Sequence, residues 1–348
     1  MRTVRYGIIG TANIANSTHI PCIQSMAGTE IVALCDLDAE ALAKTRARTG
    51  APVAVRDYRD LLTLDEVDAV VVATPNDTHA EIVVEAFARG KHVLCEKPMA
   101  INAADCDRMI TAAEAAGRVL QIAQPYRYSP FYHQMADLLA SGVIGTVDMM
   151  WTKEFMRWGD VAPSDRAWRM YQGRSGGALV EKNCHHLDLM NWMIGARPVK
   201  VCAFGGKNCF QKPEINDNAT LICEYDNGAR AMLLLSLFTS WHMIDLEVGA
   251  AGEQGRVEAY DQSELYCFHG GQGDARRRPD NIAQPPPNSE DDGFHSGAHA
   301  MHRDFLRCVR DGGRPFCDAR VGKDSILIGL AGERSIREGR VVEIAGIL

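Results

Sequence analysis

The chain has 348 residues, 46% of them hydrophobic and 24% charged, so it can bury a sizeable core and is not globally disordered. A formal net charge of −8 argues against a nucleic-acid-binding protein, and no apolar run is long enough to span a bilayer. This length predicts two domains, and 11 scattered cysteines without a C-x-x-C pair or a preceding signal peptide predict reduced thiols in a cytoplasmic protein.

The first predicted strand, Val4–Ile9, leads into a turn of small residues, 10–15, and then into a helix. Glycine and two alanines make this turn a variant of the G-x-G-x-x-G pattern. Gly10 permits the tight turn, Ala12 lets a pyrophosphate approach the backbone, and Ala15 lets the helix pack on the strand. The unpaired N–H groups that start the helix favour the phosphates of a dinucleotide.

An acidic residue, Asp36, follows the second predicted strand, 30–35. It lies about 20 residues past the turn, where a Rossmann domain binds the ribose hydroxyls of the adenosine. Leu37 follows it, with no arginine directly after, and a carboxylate would repel a 2′-phosphate, so NAD is favoured over NADP. The alternative is that Asp36 and Asp38 only cap the helix predicted over 39–49.

Strands and helices continue to alternate up to residue 123, which predicts a doubly wound parallel sheet. One buried strand, 67–73, leads into Thr74-Pro75-Asn76, and the next ends in Glu96-Lys97-Pro98. Proline cannot continue a central strand, so Lys97 is expected at the edge where open α/β sheets bind ligands. We interpret Lys97 as a functional amine; the alternative is a solvated lysine at the end of a strand.

These motifs occur in the order and spacing of the Gfo/Idh/MocA oxidoreductases, which the chain resembles over nearly its whole length. That family includes glucose–fructose oxidoreductase and inositol dehydrogenases. The resemblance implies that the first domain, residues 1–123, binds NAD(P), and that Lys97 lies beside the substrate and the nicotinamide. The cofactor-binding residues that follow from these motifs are Gly10, Thr11, Ala12, Asn13, Ile14, Asp36, Thr74, Pro75, Asn76, His79, Glu96 and Lys97.

The second domain, residues 124–348, begins with a segment, 124–130, that resembles the family's crossover into its substrate-binding half. A loop over 156–175 then combines aromatic rings with arginines, a mixture that suits a cover over a polar, sugar-like ligand. The alternative is an exposed, charged connection. The residues predicted to bind the substrate are Lys97, Tyr126, Arg127, Trp158, Arg169, Lys182 and His185.

A helix predicted over 178–195 carries Glu181, His185 and Asp188 on one stripe, at spacings of four and three residues. The family has D-x-x-x-H-x-x-D here. The resemblance implies that His185 takes the hydroxyl proton, while Lys97 hydrogen-bonds the same oxygen or shares the transfer. Glu181 departs from the family's first acid, and its carboxylate extends about one C–C bond further. The predicted catalytic residues are Lys97, His185, Glu181 and Asp188.

Two other interpretations of this helix stay open. Glu181 could bind a metal ion with Cys184 and either His185 or His186, but the sequence offers no second ligand cluster, and we predict no metal. Alternatively, these polar groups only satisfy one another's hydrogen bonds in the core, with His186 as ordinary packing.

From residue 200 onward the pattern predicts antiparallel strands, with a tight hairpin at Asp226-Asn227-Gly228. The resemblance implies a broad open sheet with one bare face, which needs a cover, so we expect a homodimer or homotetramer through this sheet. His299 is a further candidate for substrate contact, and Arg276-Arg277-Arg278 is interpreted as a solvated run of charges. The predicted fold class is α/β: a Rossmann doubly wound parallel sheet, followed by an α+β domain with a large, open, mainly antiparallel sheet.

The predicted function is an NAD-dependent dehydrogenase that oxidises a secondary alcohol of a cyclitol, sugar or sugar derivative. A second enzyme class uses the same groups: a retained NAD that oxidises a sugar hydroxyl transiently permits elimination at a glycosidic bond, as in some glycosidases and lyases. A third possibility, a non-catalytic nucleotide sensor, should lack the proton-handling pair Lys97 and His185. We expect a small-molecule partner, with neither nucleic acid nor membrane.

Overall fold

The computed structural model of the protein describes residues 2–158, 164–239, 244–269, 280–281 and 297–348. Contacts divide the chain into two compact units: unit 1 is Met1–Tyr128 with Glu290–Lys323, and unit 2 is Ser129–Ser289 with Asp324–Leu348. The predicted domains, 1–123 and 124–348, stay a prediction, because a compact unit need not coincide with a ligand-binding domain.

Strands and helices alternate through the first 128 residues, and local signals set several of the boundaries. Asp38 and Asn102 cap their helices by accepting backbone N–H groups, and Gly50 and Gly117 end the same helices in the left-handed conformation. A π-helical turn, Ala15–His19, precedes the first α-helix. The elements are β1 (Val4–Ile9), α1 (Ile20–Ser25), β2 (Thr29–Cys35), α2 (Ala39–Thr49), β3 (Val53–Val55), α3 (Tyr58–Leu62), β4 (Ala69–Val72), α4 (His79–Ala88), β5 (His92–Glu96), α5 (Ala103–Ala116) and β6 (Leu120–Ala123).

The six strands of unit 1 form one parallel sheet in the order β3-β2-β1-β4-β5-β6. This confirms the predicted Rossmann sheet. Because neighbouring parallel strands end at the same edge, the segments after β1, β2, β4 and β5 leave from one rim. The sequence pattern missed β3 and α3, which are three and five residues long and too short to show a period.

The remainder of the chain is built around a larger sheet with helices before and after it. Its elements are α6 (Pro130–Ala140), β7 (Met149–Met156), α7 (Gln172–Ser175), α8 (Ala178–Glu181), α9 (Cys184–Ile194), β8 (Pro198–Gly206), β9 (Asn218–Tyr225), β10 (Arg230–Ser236), β11 (Ile244–Gly252), β12 (Gly255–Tyr260), β13 (Glu264–His269), β14 (Asp280–Asn281), α10 (Ala298–Asp311), α11 (Ala319–Glu338) and β15 (Val342–Glu343). None of the helices in the described ranges is long and apolar enough to cross a membrane.

Within the described residues, the sheet of unit 2 has nine strands in the order β14-β13-β12-β11-β7-β10-β9-β8-β15. Its pairs are antiparallel except for β7 and β10, which confirms the mainly antiparallel sheet. The predicted hairpin joins β9 and β10: the Gly228 N–H donates to the Tyr225 carbonyl at 3.0 Å, and Gly228 has φ of +87°.

Two predictions about unit 2 were wrong. The helix predicted over 178–195 is two helices, α8 and α9, separated at Lys182 and Asn183. The loop predicted over 156–175 contains a 3₁₀ segment, Ser164–Met170, followed by α7, while residues 159–163 lie outside the described part of the chain. The division of the helix into α8 and α9 results from contacts with side chains that are distant in the sequence.

Candidate active site

The turn after β1 packs so closely on its neighbours that only glycine fits at its first position. Gly10 has φ of +90°, and a Cβ there would lie 2.5 Å from the Ala73 carbonyl oxygen. The Gly10 N–H donates to the Cys35 carbonyl at 2.8 Å. Ala12 and Asn13, which follow, are exposed. The turn is therefore anchored to the ends of β2 and β4 and presents its tip to solvent.

Asn16, which the sequence analysis did not single out, holds this turn from within. Its side-chain amide donates to the Thr11 carbonyl and, at 3.2 Å, to the Ala12 carbonyl. The oxygen of the same amide accepts a hydrogen bond from Arg48 Nη2 at 2.6 Å. The turn thus keeps its shape through side-chain contacts as well as through its small residues, which preorganises it for a ligand.

Asp36 lies at the rim beside the turn. Its Oδ2 accepts the Thr11 N–H at 2.6 Å and the Thr11 hydroxyl at 2.9 Å, and its Oδ1 accepts the Asp38 N–H. The cap of α2 is Asp38, whose Oδ1 accepts two N–H groups of the first turn. Asp36 therefore does not cap the helix itself, and its carboxylate joins the turn to the end of β2.

An arginine that sequence order did not reveal lies near the same position. Arg56 follows β3, and its guanidinium donates to the Leu37 carbonyl at 2.6 Å. The pairing of β2 with β3 sets Cys35 opposite Val55, so residues far apart in the sequence become neighbours at this rim.

His79 connects two of the loops that are predicted to bind the cofactor. Its ring is fully buried, with Nε2 2.9 Å from the Thr74 carbonyl oxygen and Nδ1 3.0 Å from the Pro98 carbonyl oxygen. Burial lowers the pKa of the ring, and a neutral ring donates to one of these carbonyls at a time. In this structure His79 braces the loops after β4 and β5.

Glu96 and Lys97 lie at the C-terminal end of β5, where the sequence analysis placed them. Glu96 Oε2 accepts the Lys97 backbone N–H at 3.0 Å, and Glu96 Oε1 lies 2.9 Å from His19 Nε2. Lys97 is half-buried, and the Lys97–Pro98 peptide is cis. An amine held at the rim of the sheet can hydrogen-bond a hydroxyl or share its proton.

A buried carboxylate, Glu154, explains why the helix after Gly177 is broken. Lys182 Nζ lies 3.0 Å from Glu154 Oε1, and Asn183 Nδ2 donates to Glu154 Oε2 at 2.9 Å. Adjacent side chains on an α-helix point about 100° apart. Both reach one carboxylate here, so the backbone leaves helical geometry at Asn183, where ψ is +1°.

The alternating pattern of β7 is a sequence signal for the burial of Glu154. The residue sits in the inward-facing phase of β7, with Met150 and Met156, and it is only 1% exposed. His186 Nδ1 lies 3.5 Å from Glu154 Oε2, and burial lowers the pKa of His186. His186 is therefore packed against a charged cluster in the core.

Glu181 is buried and forms an ion pair with Arg169, whose Nε lies 3.2 Å from Glu181 Oε1. The Arg169 guanidinium also lies 5.4 Å from the centre of the Trp168 ring. The start of α8 is held by Glu333, which accepts the Leu179 N–H at 3.0 Å. Burial raises the pKa of Glu333 to about 7, although that hydrogen bond opposes the rise.

The other predicted site residues fall into two groups. His185 and Asp188 are buried on α9. Trp158, half-buried after β7, donates its backbone N–H to the Leu237 carbonyl at 2.8 Å. Tyr126 and Arg127 are buried in a 3₁₀ turn of unit 1, where the Arg127 guanidinium lies 5.3 Å from the centre of the Phe316 ring. The roles of these residues stay predictions.

Three further predictions concern metals and the region around residues 269–299. The described residues contain no group of three or more His, Cys, Asp and Glu side chains that could hold a metal ion, and metal independence stays a prediction. His299 lies in α10. Arg276-Arg277-Arg278 lies outside the described part of the chain.

Comparisons with known proteins support the resemblance seen in the sequence. Residues 4–124 match the Gfo/Idh/MocA profile described as "Oxidoreductase family, NAD-binding Rossmann fold", and residues 136–344 match "Oxidoreductase family, C-terminal alpha/beta domain". The chain is 33% identical over 234 residues to an uncharacterized oxidoreductase of Streptococcus pneumoniae, a match that covers 66% of this chain and 62% of that protein. It is 27% identical over 259 residues to inositol 2-dehydrogenase of Salmonella paratyphi B, covering 74% of each chain.

A solved structure agrees with the fold over nearly the whole chain. The WlbA dehydrogenase from Bordetella pertussis, in complex with NADH and UDP-GlcNAcA, has a TM-score of 0.83 at 26% identity, covering 98% of this chain and 99% of that one. The NADH and UDP-GlcNAcA are ligands of that enzyme.

Proposed function

This chain belongs to the Gfo/Idh/MocA oxidoreductase family, and from that premise we propose that it transfers hydride between a secondary alcohol of a cyclitol, sugar or sugar derivative and NAD. The observation that carries this proposal is the rim of the parallel sheet in unit 1. There the Gly10 turn, Asp36 and Lys97 follow strands β1, β2 and β5 of the same sheet. Open α/β sheets bind ligands at this rim.

The residues at the rim fit NAD. Gly10 packs closely on Ala73 and anchors the small-residue turn, whose exposed tip can face a pyrophosphate. Asp36, beside the turn, supplies a carboxylate for ribose hydroxyls. The same carboxylate would repel a 2′-phosphate, so NADP is the weaker ligand. NAD, when bound, supplies the hydride acceptor.

The protein's own contribution is proton handling and orientation. Lys97 hydrogen-bonds the hydroxyl that is oxidised and His185 accepts its proton, because imidazole exchanges protons near neutral pH. Glu181, fixed by Arg169, and Asp188 orient the substrate and His185. Tyr126, Arg127, Trp158, Arg169 and Lys182 complete the proposed substrate-binding set.

A substrate panel tests this function. Purified protein is incubated with inositols, aldoses and uronic acids, and NADH formation is followed by absorbance with NAD and, in parallel, with NADP. Net NADH from at least one polyol supports the dehydrogenase. If no compound yields NADH while NAD co-purifies without exchanging, the protein is better described as an NAD-retaining glycosidase or lyase. The pair Glu181-Lys182, which stands where the family usually has Asp, is compatible with that alternative.

We further propose a homodimer or homotetramer that forms through the sheet of unit 2. Large apolar side chains are exposed on this sheet, with Phe204 at 76% and Ile222 at 50% of their full accessibility. The 11 cysteines are all free thiols and most are buried, which suits the reducing environment of a cytoplasm.

A further inference from the structure

Three side chains of unit 1, two of them fully buried, form a hydrogen-bonded row that ends beside Lys97. His302 Nε2 lies 3.0 Å from His19 Nδ1, and His19 Nε2 lies 2.9 Å from Glu96 Oε1. Both imidazoles are fully buried, and the Glu96 side chain is 13% exposed. Neither histidine belongs to a motif described above.

The positions of the protons in this row follow from which atoms have partners. Burial, with the neighbouring His19 and His299, lowers the pKa of His302, so its ring is neutral. His302 Nδ1 has no hydrogen-bond partner among the described residues, and an unpaired buried N–H is costly, so the proton sits on Nε2. His302 therefore donates to His19 Nδ1, and His19 donates its Nε2 proton to Glu96.

The carboxylate at the end of the row is shared between His19 and the backbone of Lys97. Glu96 Oε1 faces His19, while Oε2 accepts the Lys97 N–H at 3.0 Å. Since Pro98 has no N–H, the Lys97 amide is the last backbone donor of this strand end. Fixing the carboxylate fixes this amide, and with it the Cα from which the Lys97 side chain extends.

His19 reaches Glu96 from the segment that follows the dinucleotide turn. It is the last residue of the π-helical turn Ala15–His19, in which the Ile20 N–H donates to the Ala15 carbonyl. Such a turn accommodates one more residue than an α-helical turn and redirects the side chains that follow it. One continuous segment thus carries the small-residue turn and the imidazole that holds Glu96.

We propose that His19 is a positioning residue that acts through Glu96 to fix the direction in which Lys97 is presented. The proposal rests on the proposed role of Lys97 in handling the hydroxyl proton. It adds a link between the segment that receives the cofactor and the strand end that carries the amine.

The test compares His19→Phe, which removes both ring nitrogens, with His19→Gln, which keeps a donor for Glu96. Amide hydrogen exchange resolved to Lys97 is measured beside steady-state kinetics. We expect Lys97 exchange about tenfold faster in His19→Phe. We also expect kcat about 10- to 100-fold lower, with KM for NAD within about threefold of wild type. His19→Gln should restore most of the protection of the Lys97 amide from exchange and most of kcat.

His92→Gln is the matched control, because His92 accepts the Val119 N–H at 3.1 Å and lies four residues before Glu96 on the same strand, about 13 Å away along it. It should leave Lys97 exchange unchanged. Unchanged Lys97 exchange in His19→Phe and in Glu96→Gln would overturn the proposal, even if both variants melt earlier. Should Lys97→Ala retain full activity, the proposed function fails, while the exchange measurement still decides whether His19 holds Lys97.

Discussion

At the scale of single residues, Lys97 is the group on which the proposed chemistry depends most. Lys97→Ala removes the amine from the rim of the sheet and should lower kcat/KM by about 10²- to 10⁴-fold, the usual contribution of a proton-transfer group. Affinity for NADH, followed by fluorescence titration, should change little. Lys44→Ala, an exposed lysine on α2, is the control and should keep wild-type rates. Equal rates in both variants would contradict the assignment.

The second residue of consequence is Glu154, because it neutralises a lysine inside unit 2. Glu154→Gln removes the carboxylate that pairs with the buried Lys182 ammonium and should lower the free energy of unfolding by about 3–5 kcal/mol. The double variant Glu154→Gln/Lys182→Met should recover much of that loss, since the buried lysine charge is removed together with its carboxylate.

Chemical denaturation of these variants at pH 7 measures the effect. Glu224→Gln is the control: it breaks an ion pair of similar length, Lys200 with Glu224 at 2.9 Å, but on the surface. Its unfolding midpoint should stay near that of wild type. If the unfolding midpoint of Glu154→Gln equals that of Glu224→Gln, another group compensates the charge of Lys182 and the argument fails.

At the scale of elements, helix bounds that depend on neighbouring residues could be predicted from the sequence. Helix bounds that depend on distant residues could not. The bounds of α2 were predicted in full, because Asp38 before the helix and Gly50 after it are local signals. The break between α8 and α9 was not, because it comes from Glu154, about 30 positions earlier in the sequence.

In the candidate site, too, some features could be predicted from the sequence and others could not. The positions of Gly10, Asp36 and Lys97 at one rim could be predicted, since strand ends of a parallel sheet share an edge. The contacts that hold them could not, because His19 meets His302 across 283 positions of sequence, and Arg56 meets Leu37 only through strand pairing.

One prediction at this scale concerns the N-terminus of α8, which Glu333 holds. Burial raises the pKa of Glu333 from its ordinary 4.5 to about 7. Between these values the folded chain retains a proton that the unfolded chain has lost, so the contribution of Glu333 to stability is greatest below pH 4.5 and falls as the pH rises to about 7. The ionised group then costs the folded state on the order of 3 kcal/mol.

Glu333→Gln stays neutral at every pH and can still accept the Leu179 N–H. Its free energy of unfolding should match that of wild type near pH 4 and exceed it at pH 8, by about 1–3 kcal/mol. Urea unfolding at several pH values measures this difference. Glu343→Gln, on the exposed end of β15, should keep the wild-type pH dependence. A pH-independent difference between Glu333→Gln and wild type would refute the argument.

At the scale of the whole molecule, one face of the nine-stranded sheet requires explanation. Ile222 pairs with Cys202 on one side and Met232 on the other, and Met232 pairs with Trp151, so these side chains form a row across β8, β9, β10 and β7. The alternate residues of the same strands, such as Leu221 and Leu233, are buried. The sheet is therefore apolar on its exposed face as well as on its buried face. An exposed apolar face of this kind is typical of a surface covered by another subunit.

Ile222→Asp should therefore shift the protein from an oligomer to a monomer in sedimentation velocity runs at micromolar concentration. The reason is that a carboxylate buried at a subunit interface without a partner costs several kcal/mol, whereas on an exposed strand it costs little. Leu348→Asp, also an exposed apolar residue but at the C-terminus, should keep the wild-type assembly. If wild type itself sediments as a monomer, the row does not serve self-association, and the protein works with a bare sheet.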